Sequence, residues 1–117
     1  MRFQSTLKKI EYRAFLDCNK LKSVDFPAGL EYIGRSSFSG TGLESVELPA
    51  SLRTICQSAF SLCESLRSVR FNEGLEVLGT DEYLKDGGVW YGVFGESALE
   101  CVELPSTLKR IEYGAFE

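Results

Sequence analysis

Four cysteines, Cys18, Cys56, Cys63 and Cys101, are the side chains with the widest chemical reach in this sequence. Thiolates can ligate zinc, pair as disulfides or attack electrophiles. Their spacings of 38, 7 and 38 residues include no C-x-x-C pair and fit no zinc pattern. The chain has no histidine. That removes Ser-His and Cys-His activation, histidine general bases and histidine metal sites together. The many serines have no such base to activate them. Asp81-Glu82 and Asp86 are acidic, but no D-x-D-x-D-G calcium loop surrounds them. Gly40-Thr41-Gly42 lacks the third glycine of a dinucleotide site, and Gly88, Gly92 and Gly95 fit no phosphate loop. The expectation is a protein that is not an enzyme, with no catalytic, metal or cofactor-binding residue, whose cysteines are buried free thiols.

Charge narrows the partners. The chain of 117 residues carries 13 basic and 17 acidic side chains, a net charge of −4. Phosphate backbones call for a basic surface, so nucleic acid is not the expected partner. No stretch reaches the ~20 apolar residues of a membrane span, and the start Met1-Arg2-Phe3-Gln4-Ser5-Thr6 leads into no apolar signal region. Neither membrane insertion nor a secretory signal is therefore read from this chain. The length suits one domain over residues 1–117.

The elements that must position these residues come from an internal repeat. Units run over 7–29, 30–51, 52–74 and 75–107, with a partial unit at 108–117, so the full units have 23, 22, 23 and 33 residues. The partial last unit suggests a fragment of a longer array. The shared pattern is L-x-x-I-x-x-x-A-F-x-x-C-x-x-L-x-x-V-x-L-P. Its aromatic column is Phe15, Phe38, Phe60, Phe94 and Phe116, beneath an Ile/Leu column of Ile10, Ile33, Ile55, Leu78 and Ile111. One unit cannot bury these residues alone, so stacked units must share a core, and the period predicts a solenoid. The alternation in Val24-Asp25-Phe26 and its equivalents predicts half-buried strands, ended by Pro27, Pro49 and Pro105. A short extended piece is expected around each isoleucine and a tight helical turn around each Ala-Phe pair. Strands of successive units should lie parallel, ~4.8 Å apart.

With these residues in place, the pattern resembles the BspA-type (Treponema pallidum-type) leucine-rich repeat. The likeness extends over nearly the whole chain outside the insertion in the fourth unit. Thr41 near the cysteine slot and the shortened second unit are its departures. The resemblance implies an α/β leucine-rich-repeat solenoid, mostly strand and loop. It would be right-handed, with a parallel sheet face, short helical turns and no enzymatic activity. Family members often lie at the surface of bacteria and mucosal protists and bind host proteins or cells. Cell-surface or secreted placement and an adhesin-like role follow only from that resemblance.

Two surfaces then become candidate protein-binding sites. The outward strand column, Arg2, Asp25, Glu47, Arg70 and Glu103, alternates in charge, beside a column of small residues, Ser23, Ser45, Ser68 and Cys101. It reads either as a solvated charge ladder or as a polar docking face. The second surface is the insertion, whose eleven extra residues fall within 80–92 and include Tyr83, Trp90 and Tyr91. Trp and Tyr are common at interface hot spots, but Trp90 could equally patch the core. The expected function is a non-catalytic protein-interaction module, with a structural spacer in a longer array as the alternative. Neither end shows a polar cap, which points to homo-oligomerisation through the solenoid ends.

Overall fold

The computed structural model describes residues 3–79, 92–100, 102–111 and 115–116. Its seven strands are β1 (Lys9–Ile10), β2 (Tyr32–Ile33), β3 (Ser45–Glu47), β4 (Thr54–Ile55), β5 (Ser68–Arg70), β6 (Val77–Leu78) and β7 (Arg110–Ile111). The short extended pieces at the isoleucine column build a five-stranded parallel sheet in the order β1-β2-β4-β6-β7. The register sets Ile10 beside Ile33, Ile33 beside Ile55, Ile55 beside Leu78 and Leu78 beside Ile111. A second parallel sheet pairs β3 with β5 and aligns Val46 with Val69 and Glu47 with Arg70. The chain thus winds as stacked coils, and the second and third coils carry a strand on a second side as well.

The core is a set of rows running through the stack. Phe15, Phe38, Phe60, Phe94 and Phe116 lie ring on ring, with centroids 5.2 to 5.5 Å apart and planes within 12° of parallel. A second set of rings meets this row edge-on. Phe3 abuts Phe15, Phe26 abuts Phe38 and Phe71 abuts Phe94, at 5.6 to 5.8 Å. Both arrangements are favoured by the aromatic quadrupole. Leu48 fills the corresponding place in the second coil and is buried. Leu30, Leu43, Leu52, Leu66 and Leu75 complete the core and are fully buried.

The expected helical turn is replaced by another arrangement. No helix occurs among the described residues. Around each aromatic residue, alternate N–H groups bond within the turn and to the next coil. Ala14, Leu16 and Cys18 donate three residues back, to Glu11, Arg13 and Phe15, while Arg13, Phe15 and Asp17 donate to Arg35, Ser37 and Ser39 of the next coil. The second coil repeats this, Ser36, Phe38 and Gly40 donating to Gln57, Ala59 and Ser61. A helix would keep these donors inside one segment; stacking takes half of them away. The turns also require positive φ at their third residue, as type II turns do. Arg13, Asp17, Ser36, Ser58, Leu62 and Glu96 adopt it at φ of 56° to 61°, and Gly40 at 73°.

The strand expected before each proline forms only at β3, ahead of Pro49; residues 24–26 and 102–104, ahead of Pro27 and Pro105, form no strand. The carbonyls of Pro27, Pro49 and Pro105 each accept the N–H of the leucine three residues on, and Asn72 does the same for Leu75. Asn72 adds a side-chain bond, its Nδ2 donating to the carbonyl of Leu52 at 2.9 Å.

Candidate protein-binding face

The outward column lies in a groove of about 890 Å³ that crosses the β3–β5 sheet. The alternation of each strand segment positions it. Ser45 and Glu47 are exposed while Val46 between them is buried, and Ser68 and Arg70 are exposed around the half-buried Val69. Ser23 and Asp25 flank Val24 in the same way in the preceding coil. Ser23, Ser45 and Ser68 therefore form a low floor, bordered by Asp25, Glu47, Arg70 and Glu103. All four charged candidates line one concavity.

Their pairing is less regular than the charge pattern suggested. The Arg70 Nη1 lies 3.5 Å from Glu47 Oε1, with both side chains about four-fifths exposed. No ion pair joins Arg70 to Glu103 among the described residues. The insertion lengthens the fourth unit, and residues 102–104 do not add a strand beside β5. Arg2, Tyr83, Trp90, Tyr91 and Cys101 lie outside the described residues.

The thiols divide by environment. Cys56 and Cys63 are free and buried, whereas Cys18 is free but exposed. Burial pushes the Cys63 thiol above its ordinary pKa, against weaker opposing hydrogen bonds from Thr41 and Gly40. Its Sγ donates to the Phe38 carbonyl at 3.1 Å and sits 3.2 Å from Thr41 Oγ1. Thr41 thus occupies the row of the repeat cysteine. A neutral, enclosed thiol of this kind is a poor nucleophile.

Two polar features were not anticipated from the sequence. One is a hydroxyl pair inside the turns, Ser39 Oγ to Ser61 Oγ at 2.9 Å. Its signal was the serine that directly follows both Phe38 and Phe60. The other is a smaller concavity of about 350 Å³ on the five-stranded sheet, lined by Lys9, Glu11, Tyr12, Tyr32, Arg35 and Cys56 among others. Lys9 stands 4.7 Å over the Tyr32 ring, while Arg13 and Arg35 approach Tyr12 at 4.9 and 5.8 Å. The strand register brings Lys9 beside Tyr32, a neighbour relation hidden until the register is known.

Among solved structures, the crystal structure of a leucine-rich repeat protein from Bacteroides ovatus has a similar fold, with a TM-score of 0.69 and 23% identity. The match covers 92% of this chain and 31% of that one, so the chain spans about a third of its length. No match is found among curated proteins. The family model described as BspA type leucine rich repeat region (6 copies) matches residues 1–85. Stacked short parallel strands, a shared aromatic row and that match together show that the chain belongs to the BspA-type leucine-rich-repeat family.

Proposed function

We propose that this chain is a non-catalytic protein–protein interaction module, one domain of stacked repeats that receives its partner in the groove bordered by Asp25, Glu47, Arg70 and Glu103. The observation that carries this reading is the groove itself, an open concavity with a floor of small side chains and exposed charge along its length. Repeat scaffolds of this type generally serve protein interactions, which supports the class of role. An adhesin-like role at a cell surface is the finer form of the same proposal. Tyr83, Trp90 and Tyr91 of the insertion would add a second contact. The Glu47–Arg70 pair favours one other reading, a structural spacer whose charges only solvate the sheet.

The test fills the floor of the groove. Ser45→Arg and Ser68→Arg are made singly, and preserved folding is checked by circular dichroism. Proteins retained from an extract of the source cells are then compared with those retained by the unmodified chain. Loss of a retained protein with either variant supports the module; identical retention by all three supports the spacer. Trp90→Ala in the same comparison tests the insertion separately.

A further inference from the structure

We infer that the groove selects an extended cationic segment, laid along the stacking direction, with two basic side chains four residues apart. This rests on the reading of the groove as the binding face and adds the chemistry of its occupant. The argument begins with charge. Glu47 and Arg70 face one another at 3.5 Å, so the middle of the groove is neutralised from within. Asp25 and Glu103 lie to either side, both exposed and both lining the groove, and neither has an ion pair among the described residues. Among the described residues two carboxylates therefore remain to attract cations, and the net charge of −4 adds a field of the same sign.

Spacing sets the period of the ligand. Asp25 and Glu103 belong to the first and fourth coils, whose rings Phe15 and Phe94 are three steps apart in the stacked row, and at ~4.8 Å per step the separation along the stack is about 14 Å. An extended peptide advances ~3.4 Å per residue, so residues i and i+4 span about the same distance. The floor suits such a chain, because Ser45 and Ser68 stand low between the charged side chains and leave room for a backbone. A peptide running along the strands would meet only one coil and could not reach both carboxylates.

Three peptides with glycine flanks serve as probes against the isotopically labelled full chain, followed by amide shifts in nuclear magnetic resonance. The first has the core Lys-Ser-Thr-Ser-Lys, the second the adjacent-charge isomer Ser-Lys-Lys-Thr-Ser and the third Glu-Ser-Thr-Ser-Glu. The expected result is at least fivefold tighter binding of the first than of the second. The shifts should fall on residues 23–26, 45–48 and 68–71 and weaken as salt is added. Asp25→Asn combined with Glu103→Gln, at unchanged melting temperature, should erase the preference. Equal affinity for the two cationic peptides, preference for the acidic one, or no shift with any of them would overturn the inference. Shifts that map to the groove and vanish in Ser68→Arg would leave the binding face standing even then. The extract comparison judges that face independently.

Discussion

Single atoms decide how closely the coils can approach. A Cβ on Gly34 would lie 2.6 Å from the Ile10 carbonyl oxygen and within 2.8 Å of the Glu11 and Tyr12 backbone. Gly34→Ala is expected to cost about 2–3 kcal/mol, read as a lower urea midpoint, because backbone cannot turn aside as a side chain can. Ser37 gives the opposite case. Its Oγ is buried without a hydrogen-bond partner among the described residues, in a column that carries alanine at positions 14, 59 and 115. Ser37→Ala should raise stability by about 1 kcal/mol, since it removes an unpaid desolvation. Cys63 links stability to pH. Its folded pKa is raised, so its contribution is complete below the ordinary thiol value and is lost as pH climbs towards the folded value. Unfolding free energy should therefore fall more steeply with alkaline pH in the unmodified chain than in Cys63→Ala. Under native conditions an alkylating reagent should modify Cys18 well before Cys63.

At the scale of elements, the aromatic row dominates. Phe38 is fully buried, stacked on Phe15 and Phe60 and met edge-on by Phe26. Phe38→Ala should cost about 3–5 kcal/mol in denaturant unfolding, the range for a large core truncation. The exposed Glu47–Arg70 pair should show a coupling of no more than about 1 kcal/mol in a double-mutant cycle. The row was legible in the sequence because five residues separate Ile10 from Phe15, Ile33 from Phe38 and Ile55 from Phe60, and stacking repeats whatever one coil does. The turn around Phe15 was not legible as a non-helical one. Its local bonds alone look helical in spacing, and the donors that break the pattern answer to a coil more than twenty residues away. The groove was half legible. The alternation around Val46 and Val69 placed Glu47 beside Arg70 in the correct register. The Arg70–Glu103 contact is absent among the described residues, where residues 102–104 form no strand beside β5.

For the whole molecule, Leu104, Ile111 and Phe116 are apolar residues each more than a third exposed. Among the described residues β7 lies at the edge of its sheet and pairs with β6 alone. Exposed apolar side chains beside an edge strand favour self-association. Sedimentation equilibrium at high concentration should detect it, and Ile111→Lys together with Phe116→Lys should restore a monomer. A monomer at every concentration in the unmodified chain would refute this. The hydrogen bonding of the turns leaves a mark on how such a stack comes apart. If the second coil lifts away, Arg13, Phe15 and Asp17 lose their acceptors while Ala14, Leu16 and Cys18 keep theirs. Deuterium should then enter the first turn at odd-numbered amides ahead of even ones, so fraying at a coil boundary has an alternating isotopic signature that collapse of the turn itself would not leave.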